Sequence, residues 1–213
     1  MLNIYKPKQR DMRKVTSYLV TFLLANVFAI AAFAQNVTIS GNFAPVGGGI
    51  YWAEDIWPSS FKNITVADNS HDETFGAGIY KDGAGPMQIT NSIVATNGGT
   101  CSGHYCDCYT AVTISSGYNL ERGESCGFGQ ASDLQYTNPL MGPLNKNWGL
   151  NRTHALLTGS PAIDHGNNAT CLATDQRGWY RPVDGPDADA TATCDIGAYE
   201  FGHLLRFLPL IKR

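Results

Sequence analysis

An Asn-bounded segment occurs three times in this chain: Asn36-Val-Thr-Ile-Ser-Gly-Asn42, Asn63-Ile-Thr-Val-Ala-Asp-Asn69 and Asn91-Ser-Ile-Val-Ala-Thr-Asn97. The starts lie 27 and 28 residues apart. A second phrase keeps step, Gly48-Gly-Ile-Tyr51 and Ala77-Gly-Ile-Tyr80, 29 residues apart. A fixed period of this length implies a repeat in which one unit cannot bury its apolar face alone and must stack on the next. The units are short, β-branched and bounded by Asn and Gly, so each reads as strand and turn, not helix. Equivalent positions of stacked units lie one strand spacing apart, roughly 4.8 Å. Ile39, Val66 and Val94 are then expected to form an inward aliphatic ladder, with Ile50 and Ile79 forming another. Asn42, Asn69 and Asn97 are expected to stack at a corner, where Asn tolerates left-handed backbone angles and its amide can bond the next copy.

Composition agrees with an all-β chain. Charged residues make up 15% of the 213 and Gly numbers 23, with few helix formers. The net charge of −3 argues against a nucleic-acid surface.

Residues 1–34 are expected to be a signal peptide with no part in the fold. Lys6, Lys8, Arg10, Arg13 and Lys14 precede an apolar run from Val15 to Ala34, which ends in Ala32-Phe-Ala34 before Gln35. Met12 offers a second, more compact start. The alternative is a retained membrane anchor, since the run is nearly long enough to span. Membrane contact is expected only through this segment or the C-terminal tail.

Export makes the six cysteines, Cys101, Cys106, Cys108, Cys126, Cys171 and Cys194, a disulfide set. Cys171 and Cys194 are expected to pair and close a C-terminal loop, and Cys126 to pair within the cluster at 101–108. The spacing around His104 does not match a Cys-x2-Cys knuckle, which disfavours a metal site there.

The C-terminal third carries Thr153-His-Ala-Leu156, Gly159-Ser-Pro-Ala-Ile-Asp-His-Gly166, Asp175-Gln-Arg-Gly178, Arg181-Pro182 and Cys194-Asp-Ile-Gly-Ala-Tyr-Glu200, in that order. This ending resembles that of the bacterial right-handed parallel β-helix proteins described as choice-of-anchor Q domain proteins, within the pectate-lyase-like superfamily. The Gly-Ile-Tyr phrases, Asn91-Ser-Ile-Val-Ala95, Gly117-Tyr-Asn-Leu120 and Asn138-Pro-Leu140 also resemble that family's coils. The resemblance implies a short right-handed parallel β-helix of three to four coils with a loop-rich C-terminal capping region. It implies no particular activity. Relatives usually carry more coils, so this chain resembles a short version or a fragment.

The expected organisation is a signal peptide at 1–34, coils with a disulfide-rich excursion at 35–135, a capping region at 136–200 and an apolar, basic tail at 201–213. A solenoid must cover its last coil, or the exposed strand edges invite association. Leu156, Leu157, Ala162 and Ile163 are apolar enough to do so. Asp164, Asp175, Arg177, Arg181 and Asp195 are expected to form a structural ion-pair network, Arg being suited to bidentate carboxylate pairing.

Candidate chemistry is sparse. Trp52, Glu54, Asp55 and Trp57 combine aromatics with carboxylates, a set that can grip a sugar or merely cap a sheet edge. Asp184, Asp187 and Asp189 could hold Ca²⁺, the one cofactor considered, although the loop lacks a full Asp-x-Asp-x-Asp-Gly pattern. Asp68, Asp72, Glu73 and Asp82, with Lys62 and Lys81, are the groups a β-helix lyase or hydrolase would need, but they read as solvated turn residues. Ser160 precedes a proline and lies outside a nucleophile elbow, so no catalytic residue is assigned. The expected function is a non-catalytic surface or secreted module for adhesion or carbohydrate contact, with a polysaccharide or cell-surface glycan as partner. A polysaccharide lyase or glycoside hydrolase is the rival, and a truncated repeat protein without independent function the third reading.

Overall fold

A computed structural model describes residues 32–53, 58–71, 76–98, 107–109, 113–186 and 189–202. Among these there is no helix, and the chain repeatedly returns to the same sheets. The first pass comprises β1 (Ala32–Gln35), β2 (Thr38–Ser40), β3 (Phe43–Ala44) and β4 (Ile50–Trp52). The second comprises β5 (Ser59–Lys62), β6 (Thr65–Ala67), β7 (Ser70–His71) and β8 (Ile79–Lys81). β9 (Met87–Thr90), β10 (Ile93–Ala95) and β11 (Cys108–Tyr109) follow, then β12 (Thr113–Ser115) and β13 (Leu120–Glu121). The sheets have the orders β1-β5-β9-β12, β2-β6-β10-β13, β4-β8-β11 and β3-β7. Every strand pairing in them is parallel.

Left-handed corners set the length of the second sheet's strands. Asn36, Asn63 and Asn91 precede β2, β6 and β10 with φ of 50°, 50° and 48°. Gly41, Asp68 and Thr96 follow those strands with φ of 70°, 54° and 61°. Asn, Asp and Gly tolerate this region, and the β-branched Thr96 adopts it against its preference, so each segment bends at its first Asn and at the residue before its last, not at Asn42, Asn69 and Asn97 themselves.

Alternation divides each three-residue strand between two cores. Ile39, Val66 and Val94 share one register position. Val66 and Val94 join Phe61, Ile64, Ile79, Met87 and Ile89 in an interior cluster, with Ala34, Ile39 and Ile50 packed against it. The position reached next in that row is Glu121, paired with Val94. Its buried carboxylate accepts the N–H groups of Cys126 and Phe128 and the side-chain amide of Gln135. Burial raises its pKa. The loop so held carries Phe128, fully buried in the interior cluster. Residues 122–135 therefore close the last pass.

Of the residues expected on the last coil, Leu156, Ala162 and Ile163 pack with Leu120 of β13 on its outward face, together with Ile93 and Ala95 of β10. Leu157 remains 48% exposed. The reason is the alternation itself: Ile93 and Leu120 point away from the interior and need their own cover. The C-terminal segment forms a strap along that side, meeting the passes in reverse order. Asn91 bonds Asn167 and Thr170, Asn63 bonds Leu172, and Asn36 bonds the Thr174 carbonyl. Thr38 then bonds Gln176.

β1 spans the expected leader boundary. Ala32–Gln35 pairs residue for residue with Ser59–Lys62, and Ala34 packs on the interior cluster. A boundary after Ala34 would thus cut through β1. Residues 1–31 and 203–213, which hold the rest of the expected leader and most of the tail, lie outside the described residues.

Candidate functional site

The β4-β8-β11 sheet presents an aromatic row. Ile50, Ile79 and Cys108 occupy one register position, and Tyr51, Tyr80 and Tyr109 the next. Because neighbouring residues face opposite sides of a strand, the tyrosines point outward. Tyr51 and Tyr80 stack at 5.4 Å with planes 5° apart, and Tyr80 and Tyr109 at 4.9 Å and 7°. Tyr51 is 53% exposed, with its hydroxyl 3.4 Å from Asp82 Oδ2. Close stacking requires the preceding glycines. A Cβ on Gly49 would lie 2.5 Å from the Gly78 carbonyl oxygen, and one on Gly78 would lie 2.5 Å from that of Asp107.

Trp52 falls on the opposite side of β4. It is half-buried and packs against the interior cluster. Glu54, Asp55 and Trp57 lie outside the described residues. The tyrosine row is a stacked aromatic surface among the described residues, legible in the sequence from Tyr51 and Tyr80 in the repeated phrase but not from Tyr109.

Charge concentrates in the strap. Asp175 accepts both Arg177 Nε and Nη2, each at 2.7 Å, and Arg177 lies 3.7 Å over the Tyr199 ring. Arg181 donates to the carbonyls of Asp195 and Gly197, with Nε 3.4 Å from Glu200. Asp195 accepts the N–H groups of Asp164 and Phe201. Asp164 joins by its backbone and accepts Gly185 N–H. Glu200 was not singled out by the sequence reading, although it ends the last motif. It accepts the N–H groups of Val183 and Asp195, and burial pushes its pKa up to about 7. Burial also raises Asp195, with Glu200 adding to the effect, and burial lowers Arg181. Each of these side chains bonds backbone groups of the C-terminal segment.

The remaining polar candidates are dispersed. Ser160 donates to the Pro139 carbonyl, remote from His154 in its bonding. His154 instead bonds Ser40, with Nε2 2.8 Å from its Oγ. With Nδ1 donating to the Gly142 carbonyl, Nε2 of the neutral ring accepts from the serine hydroxyl, and Asp68 Oδ2 lies 3.8 Å from the same nitrogen. His154 is only 3% exposed, so the pair anchors the strap to β2. Lys81 is buried and bonds the Gly83 carbonyl, while Asp68 accepts Thr96 at an exposed corner. Asp72 and Glu73 lie outside the described residues. Asp184 and Asp189 are exposed, Asp189 accepts Thr191 N–H, and Asp187 lies outside the described residues. Among the described residues no group of three His, Cys, Asp or Glu is arranged to hold a metal. Cys108 is bonded to Cys126 and Cys171 to Cys194, whereas Cys101 and Cys106 lie outside the described residues.

No family model, curated protein or solved structure matches this chain.

Proposed function

We propose that the chain is a short right-handed parallel β-helix of three to four coils, related to the choice-of-anchor Q domain proteins, and acts as an exported, non-catalytic module that contacts glycans at a cell surface. The observation that carries this reading is the outward tyrosine row. Tyr51, Tyr80 and Tyr109 form a partly exposed aromatic stack, with Asp82 at the Tyr51 hydroxyl. A rigid aromatic body with a polar tip suits a ligand that is apolar on one face and polar at its rim, as a sugar ring is. Two disulfides favour an oxidising compartment, which supports export. The lyase or hydrolase reading draws no support from Asp68, Asp82, Lys62 and Lys81, which are engaged separately or lie on different faces.

A panel of polysaccharides, scored for retention and for product release with and without Ca²⁺, tests this. Retention without new reducing ends or unsaturated products is expected, weakened several-fold by Tyr51→Ala. Turnover of any panel member would overturn the non-catalytic reading.

A further inference from the structure

The C-terminal segment carries a hairpin separate from the tyrosine row. Met141 bridges Leu156 and Asn145 bridges Thr153, both antiparallel, and the Gly149 N–H closes the tip on the Lys146 carbonyl at 2.7 Å. The two residues inside that turn, Asn147 and Trp148, have φ of 45° and 67°. Such a turn suits Asn followed by Gly, whereas a bulky Trp is strained there. Three contacts fasten it. Asn147 Nδ2 donates to the Thr153 carbonyl at 2.8 Å and to its Oγ1 at 3.0 Å, and Arg177 Nη1 donates to the Asn147 carbonyl at 3.3 Å. Gly149 lies against Arg177, where a Cβ would fall 2.8 Å from the arginine Cγ.

The fastened tip holds its apolar side chains away from the protein. Trp148 is 80% exposed and Leu150 96%. Lys146 and Arg152 flank them, both exposed, and among the described residues neither makes an ion pair. No Asp or Glu occurs in the chain between Asp133 and Asp164. The tip therefore combines two projecting apolar groups with two cations that lack a paired carboxylate among the described residues.

Charge and area select the occupant. The chain's own tail is apolar but carries Arg206, Lys212 and Arg213, which Lys146 and Arg152 would repel. A second copy would bring the same cations. One aromatic side chain buries at most about 250 Å², well short of the roughly 800 Å² per partner of a specific protein interface. An anionic lipid surface suits both features. Trp and Leu favour the boundary between headgroups and acyl chains, and Lys and Arg are drawn to the negative surface.

We propose that the 146–152 tip docks on an anionic lipid bilayer. Trp148 and Leu150 enter the interface, and Lys146 and Arg152 pair with lipid phosphates. This contact is additional to the leader and the tail, and it does not rest on the glycan reading.

The test is tryptophan fluorescence of the full chain mixed with vesicles of phosphatidylcholine and phosphatidylglycerol whose acyl chains carry bromine, which quenches an inserted ring. Quenching is expected in the parent and is lost in Trp148→Gly. Glycine suits the left-handed position, so this variant should melt at least as high as the parent. Leu150→Asn should weaken quenching several-fold with no change in melting. Lys146→Gln combined with Arg152→Gln should raise the vesicle concentration for half-maximal quenching about tenfold. Equal quenching of the parent and Trp148→Gly would overturn the proposal and assign any vesicle contact to the leader or the tail. Absence of quenching in the folded parent would also overturn it. A lipid-free dimer in sedimentation velocity that Trp148→Gly abolishes would overturn it in favour of a second copy.

Discussion

Asn97 gives its backbone N–H and its side-chain amide to a single oxygen of Asp107, each at 2.9 Å. The contact ends a ladder. Asn42 donates in the same two ways to Asn69 Oδ1, and Asn69 to Asn97 Oδ1. Each Asn accepts from the pass before and donates to the pass after, so the last member needs only to accept, and a carboxylate suffices. A second ladder ends alike: Ser92 N–H bonds Asn119 Oδ1, and Asn119 N–H bonds Asp133 Oδ1.

Asp107 bears a cost for this position. Burial raises its pKa from 3.8 to about 6, against the lowering effect of Asn97 and Arg122. The folded state therefore holds its proton more tightly than the unfolded chain does. The associated stability is present below about pH 4 and lost as pH rises through about 6, on the order of 3 kcal/mol for a shift of this size. Asp107→Asn keeps an acceptor for Asn97 without the charge. Relative to the parent, it should melt higher at pH 8 and at nearly the same temperature at pH 4. A variant equally destabilised at both pH values would contradict this account.

Glu200 imposes the same sign over a higher window. Its pKa is raised from 4.5 to about 7, so strap stability should decline between about pH 4.5 and 7. Glu200→Gln should flatten that decline. It should also cost roughly 1–3 kcal/mol at acid pH, because one side-chain acceptor becomes a donor facing Val183 or Asp195 N–H. Melting temperature against pH, parent and variant side by side, checks both effects. An unchanged slope would remove Glu200 from the titration.

Phe128 and Leu157 separate the two accounts of how the last pass is covered. Phe128→Ala should cost roughly 3–5 kcal/mol, since the ring is fully buried in the interior cluster. Leu157→Ala should stay within about 0.5 kcal/mol, as an exposed substitution does. Denaturant unfolding of both variants decides, and the reverse order would restore Leu157 to the cover.

The Cys171–Cys194 bond joins strap segments 23 residues apart. Replacing both residues by Ser should cost about 3 kcal/mol. Hydrogen exchange should locate the loss, with protection falling at Leu172 and Gly166 before it falls at Val66 and Val94. Uniform loss across the chain would mean that strap and sheets unfold as one unit.

Much of the architecture is legible in the sequence because its cause is local and periodic. Ile39, Val66 and Val94 repeat at intervals that make them register partners, although the left-handed angles expected of Asn69 and Asn97 fall instead on Asn63 and Asn91 and on the residues just before Asn69 and Asn97. Parallel stacking follows from that period, since an inward residue must meet its own copy. The groups of the strap were legible as types, as Asp175 and Arg177 illustrate, but their destination was not. Thr38 meets Gln176 across 138 residues, and Ser40 meets His154 across 114. No pattern within either segment encodes the other. Glu121 is hidden for a related reason: only register with Val94 puts it inside, where Phe128 can close over it. Trp52 and Tyr51 make the same point at the surface, since adjacency in the chain places them on opposite faces and only the register decides which one meets solvent.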